Sequence, residues 1–259
     1  LTGLMGGLMG SITILRQLSF LSDTLWLSAL LGISIGFLLG LDPSWVLMPF
    51  TILFALGVTY FLERADLWTD ALLNIVYSAS LAIGIILLSL RDNYQGGINN
   101  LLFGDILAVQ TGDLIFSAVL LVVCALFIGL TLRSQILLTL HEPMAISRGV
   151  AVSAQRTAFI VLLSLVVGIS IEAVGVLLIS AFIVIPACAA RLISRTFTQY
   201  ILTSMALGAL SAIFYWPSGP SIVAVQLILF VSAIIVPKPH NWVAFLQKLQ
   251  SAKRLHKKL

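Results

Sequence analysis

The sequence predicts an all-α fold, a polytopic transmembrane helix bundle of eight or nine spans, and three observations support this. First, 60% of its 259 residues are hydrophobic and only 9% are charged, with a mean hydropathy of +1.12. A soluble domain of this length could not cover so apolar a chain with polar surface, which leaves lipid as the solvent. Second, the apolar residues form long unbroken runs without the period-two alternation of a β-barrel strand. In lipid the backbone must satisfy its own hydrogen bonds, so such runs fold as helices. Third, once these runs are threaded through a bilayer the cations separate by side. Of the 14 Lys and Arg, 13 fall on one face and only Arg91 on the other. That is the positive-inside pattern of a cytoplasmic membrane protein.

A span needs about 20 apolar residues. The candidate spans are 1–15, 20–41, 44–62, 68–90, 113–132, 157–171, 173–190, 199–216 and 221–236. Arg16, Arg64, Arg133, Arg148, Arg156, Arg191, Arg195 and the tail from Lys238 share the cytoplasmic side. Asp42, Arg91, Asp92, Asp113 and the turn Pro217–Pro220 lie outside. The run from Ala158 to Ala190 is too long for one crossing, and Glu172 is expected to divide it. Residues 91–112 join a polar Gly-rich stretch to a short amphipathic segment, Leu101 to Val109. Residues 133–156 form a polar cytoplasmic loop, with a short helix expected near Glu142 and Pro143. The organisation is thus a transmembrane domain over 1–236 and a basic amphipathic tail over 237–259 that lies on the inner leaflet. The chain opens at Leu1 without Met and its first run is short, so a truncated N-terminus is expected; no cleavable signal peptide is visible.

Ionisable groups at membrane depth are costly, so each is a functional candidate. Asp23 is the first, about 10 Å from Arg16 if both lie on one helix with a 1.5 Å rise per residue. Asp70, Asn74 and Ser78 recur every four residues and form a polar stripe beside Tyr77. Such a stripe lines a hydrated path or bonds a neighbouring helix. Asp105 either serves a path, or caps a short helix or meets a partner protein near the outer interface, and Glu172 is a path residue or a solvated turn. His141, His240 and His256 all map to cytoplasmic segments, so no imidazole is offered within the membrane. Gly32, Gly36 and Gly40, spaced by four, read as a groove for close helix packing. Cys124 and Cys188 lie in separate apolar runs and make no CxxC signal. The net charge of +4 reflects the cytoplasmic loops and basic tail, which is no argument for nucleic acid. No GxxxxGK[ST] occurs, so ATP hydrolysis by that route belongs to another polypeptide.

Several segments are similar, in register, to one family. RQLSFLSDTLWLSALLGISIG (16–36) resembles R-x-M-S-[FY]-x-G-D-[TA]-L-x-H-[AS] of the metal-ion permeases of bacterial ABC importers, the zinc and manganese uptake type. NNLLFGDILAVQTGDL (99–114) is similar to the FGD-LLAV segment of the zinc type, and HEPMAISRGV (141–150) to its SPELA-x-x-x-GV loop. VGVLLISAFIVIPACAARLISRTFTQ (174–199) resembles VGALLI-x-x-LLIIPAATAR, and WPSGPS (216–221) the PAGPS turn. The resemblance covers nearly the whole chain. It implies a type II ABC importer-like permease in the bacterial inner membrane, homodimeric, receiving a divalent metal from an extracytoplasmic solute-binding protein. A cytoplasmic ATPase dimer would drive transport, and this chain would bind no cofactor of its own. By the same resemblance, about Pro186 to Gln199 is the helix that docks on the ATPase, with Arg191 and Arg195 facing the partner and the loop of Glu142 as a second contact.

The departures bear on the metal. The histidine four residues after the motif carboxylate is Leu27 here, a second family histidine falls at Ser78, and the Asp that often precedes the PAGPS turn is Trp216. Zinc favours imidazole and thiolate, whereas carboxylate and hydroxyl suit manganese. The FGD and LAV wording points to zinc and the ligand inventory to manganese; the expectation is zinc, with manganese or iron as the alternative. Two other classes fit less well. An aspartyl protease built on Asp23 and Asp105 lacks a Gly at Leu102, and its two carboxylates fall near opposite faces. An ion-coupled secondary transporter usually carries inverted repeats with broken helices, and none is detectable.

Overall fold

The computed structural model describes residues 1–40, 43–64, 68–89, 111–140, 142–175, 178–210 and 219–235. Its elements are α1 (Thr2–Leu15), α2 (Ser19–Leu39), α3 (Pro43–Arg64), α4 (Thr69–Ser89), α5 (Thr111–Leu140), α6 (Glu142–Ser147), α7 (Val152–Val174), α8 (Ile179–Ile193), α9 (Phe197–Leu210) and α10 (Gly219–Ile235). Among the described residues there is no strand, and the protein is an all-α membrane bundle. α2, α3, α4, α5 and α7 are long and apolar enough to cross a membrane, and α1, α8, α9 and α10 are shorter apolar helices. The tail 237–259, the segment 91–110 with Asp105, and the first two residues of the Pro217–Pro220 turn lie outside the described residues.

Local chemistry explains most helix boundaries. Pro43 opens α3, where its missing N–H costs nothing, and Arg64 lies in the last turn, where it complements the helix dipole. α6 begins at Glu142 as expected and ends at Ser147, and the φ of 75° at Gly149 just beyond it lets Val150 N–H reach the Ala145 carbonyl. Three expectations need correction. Residues 133–156 are not all loop: α5 runs on through Arg133 to Leu140, and α7 already begins at Val152. Glu172 does not break the long apolar run: α7 continues through it to Val174, and the break is Gly175, with φ 86° and its N–H on the Ile171 carbonyl. A left-handed residue reverses the chain where a charged one merely ends a hydrophobic stretch. Likewise Arg16 and Asp23 do not share a helix. α1 closes at Arg16, Gln17 adopts φ 58°, and Leu18 N–H bonds the Thr13 carbonyl before α2 begins.

The helices pack as two groups. α1, α8 and α9 pack on one another with α10 against α8; α2 packs between α3 and α4, and α3 lies along α7. α5 borders α1 and α7. The α1–α9 crossing is so close that a Cβ on Gly7 would overlap the Ser204 backbone. Two hydrogen bonds lock it, from Ser204 Oγ to the Gly7 carbonyl at 2.6 Å and from Tyr200 Oη to the Ser11 carbonyl at 3.0 Å. Glycine grooves and interhelical hydrogen bonds hold bundles together where lipid removes the hydrophobic drive between helices. The two groups meet where α2 touches α8 and α1 touches α7, and the core of Met5, Leu8, Leu25, Phe159, Leu163 and Phe182 runs through both.

Candidate functional site

Asp23 lies on the seam between the two groups, in the second turn of α2 and half-buried. Its carboxylate accepts a hydrogen bond from Trp26 Nε1 at 3.4 Å, one helical turn on, and faces the side chain of Ser180 in α8. Trp26 in turn meets Tyr77 of α4 edge-on, with ring centroids 6.3 Å apart, and Phe20 covers Tyr77 from the other side at 5.5 Å. Two helices therefore meet at the carboxylate, α2 and α8, and α4 reaches this flank through the contact of Tyr77 with Trp26. The residue before it, Ser22, is fully buried and its hydroxyl has no hydrogen-bond partner among the described residues. Leu27, on the same helical face as Asp23, is buried at 1% exposure and offers no donor atom.

The other candidates are scattered. Asp70, Asn74 and Ser78 do share a face of α4, but that face is exposed on the outside of the bundle. Asp70 stands in the first turn, where a carboxylate complements the helix dipole. Glu172 belongs to α7 and Glu142 to α6, with both side chains outside the described residues. Pro186 is buried within α8, while Arg191 in the last turn of that helix and Arg195 just beyond it are both exposed. Among the described residues no three His, Cys, Asp or Glu side chains gather as a metal cluster. What the structure brings together is one carboxylate with the Ser180 hydroxyl and the Trp26 N–H.

Sequence reasoning missed Trp26 and Ser180. The first is legible from helix geometry, since positions three apart are neighbours. The second belongs to a helix distant in sequence, and no local signal announces it.

Residues 1–237 match the family described as ABC-3: ABC 3 transport family. The manganese import system permease protein ScaB of Streptococcus gordonii is 32% identical over 91% of this chain and 88% of its own length. The high-affinity zinc uptake system membrane protein ZnuB of Haemophilus influenzae is 28% identical over 87% of this chain and 90% of its own. A solved structure, PsaBC from Streptococcus pneumoniae in complex with Fab, superposes with a TM-score of 0.78 at 27% identity, covering 94% of this chain and 91% of that one.

Proposed function

The chain belongs to the ABC 3 transport family, and on that premise we propose that it is the membrane-spanning permease subunit of an ATP-driven importer of a divalent transition metal. The observation that carries the reading is Asp23, a half-buried carboxylate on the seam between two helix groups. An acidic side chain at that depth is expensive unless it meets a cation or a polar partner. Its surroundings are the Ser180 hydroxyl and an indole N–H, so a cation is bound loosely enough to leave again, as conduction requires. Relative motion of the two groups would open the site to one side and then the other.

The partners follow from the same reading. Uphill import needs an energy source this chain lacks, so a cytoplasmic ATPase dimer docks at Arg191, Arg195 and the α6 loop. An extracytoplasmic solute-binding protein delivers the metal on the opposite face. A second copy of the chain covers α4, because Asn74 and Ser78 on an exposed face would otherwise meet hydrocarbon. Zinc is the cargo favoured by the FGD and LAV wording. Manganese is the second reading, favoured by the buried Leu27 at the histidine position, which leaves an oxygen-only site.

Proteoliposomes containing the chain and its co-expressed ATPase test the proposal. Metal uptake is expected only with ATP and with both subunits present; uptake driven by a proton gradient alone would overturn it. Growth rescue of a strain lacking the chain, in zinc-limited against manganese-limited medium, separates the two metals.

A further inference from the structure

Trp26 lies one turn beyond Asp23 on α2, half-buried, and is held from two directions. Its indole N–H donates to Asp23 Oδ1 at 3.4 Å, and its ring stands at 89° to that of Tyr77 in α4. Edge-to-face contact of this kind is a favoured arrangement of aromatic pairs. Tyr77 is backed in turn by Phe20, whose ring is tilted 46° to it. The indole is therefore packed by a neighbouring ring while its only polar side-chain atom serves the carboxylate.

The two polar neighbours of Asp23 differ in what they can do when a cation arrives. The Ser180 hydroxyl is both donor and acceptor, so it can turn a lone pair towards a metal ion. The Trp26 N–H is a donor only. Its hydrogen takes up lone-pair space on Oδ1 that a cation would use, and the positive end of the N–H repels a cation placed there. The indole thus competes with a metal ion for the carboxylate. A carboxylate at this depth without any partner is costly, and the N–H offsets part of that cost before a cation arrives.

We infer that Trp26 is a positioning residue that sets the affinity of the Asp23 site, its N–H standing in for the cation whenever none is bound. The inference rests on the reading of Asp23 as a cation ligand and adds the residue that tunes it. Metal binding displaces the N–H from Oδ1, so part of the binding free energy is spent on breaking that bond. The ion is then held more loosely than the carboxylate and Ser180 would hold it by themselves. On release the indole returns to the carboxylate, which lowers the cost of letting the ion go. Conduction needs sites of this kind, favourable enough to enter and weak enough to leave.

The test uses the full chain in a non-ionic detergent, with Zn²⁺ as the probe. Bound radiolabelled Zn²⁺ is measured by equilibrium dialysis, and tryptophan emission is followed over the same concentrations. The component of binding that Asp23→Asn removes belongs to this site. Trp26→Phe keeps a ring against Tyr77 and loses the N–H. Benzothienylalanine at position 26 keeps the indole outline with sulfur in place of N–H, and it decides the matter if Trp26→Phe does not fold. Both variants are expected to bind Zn²⁺ about five- to tenfold more tightly than the wild type. The wild type is expected to show a saturable emission change with the same midpoint as the bound Zn²⁺, absent from both variants. Unchanged or weaker affinity in the variants overturns the inference and leaves Asp23 as the ligand. So does Asp23-dependent Zn²⁺ binding that leaves the emission of the wild type unaltered. Binding by Asp23→Asn equal to that of the wild type would instead remove the reading of Asp23 itself, and this inference with it.

Discussion

At the scale of single residues, Asp23 and its neighbours carry the proposed cation path. Its carboxylate already has an indole donor in Trp26 and a hydroxyl neighbour in Ser180, so it resides at that depth without full desolvation cost. Asp23→Asn is nearly isosteric and removes only the charge. We expect it to lower metal uptake at least tenfold while leaving membrane insertion and ATPase association unchanged, measured by radiolabelled metal in the same proteoliposomes. Wild-type uptake by that variant would detach Asp23 from the path. The candidacy of Asp23 was legible because an acid in an apolar run needs a reason. That of Ser180 was not, because a serine in a membrane helix usually just bonds its own backbone, as Ser164 does to the Val161 carbonyl.

At the scale of elements, the α1–α9 crossing and the end of α8 make separate demands. Gly7 allows α1 to lie against the backbone at Ser204, so Gly7→Leu must push the two helices apart and break the bond from Ser204 Oγ. The expected cost is about 2–3 kcal/mol, read as a lower Tm and reduced yield of the detergent-purified protein. Arg191 and Arg195 are both exposed at the end of α8. Reversing both to Glu is expected to leave Tm unchanged and to weaken co-purification of the ATPase, as measured by the ratio of subunits after affinity capture. An unchanged ratio removes that docking assignment. Three helix ends were readable from charge, since Arg16, Arg64 and Arg191 each close an apolar run at or within a residue or two of where its helix stops, whereas α5 runs on past Arg133 to Leu140. The α7–α8 boundary was not, because Glu172 advertised a break that the backbone makes three residues later, at Gly175.

For the whole molecule, the orientation rests on the arginines, and it can be checked with thiol reagents in a background lacking Cys124 and Cys188. Ser147 of α6 and Thr111 at the start of α5 are exposed near opposite ends of the bundle. With the arginine-bearing face inside, Thr111→Cys should react in intact cells with a membrane-impermeant maleimide. Ser147→Cys should react only after permeabilisation. The reverse pattern would invert the chain and, with it, the direction of transport proposed above.

Composition, run length and the sidedness of Lys and Arg were enough to determine a polytopic helical membrane protein and the order of its spans, because lipid leaves the backbone no other hydrogen-bonded state. Which helices touch was decided only in three dimensions. A hydropathy pattern that is apolar all round gives no stripe to say which face is inward. Close approach at Gly7 and Ser204, the seam that brings Ser180 to Asp23, and the outward turn of Asn74 and Ser78 all arise from packing between segments far apart in the chain.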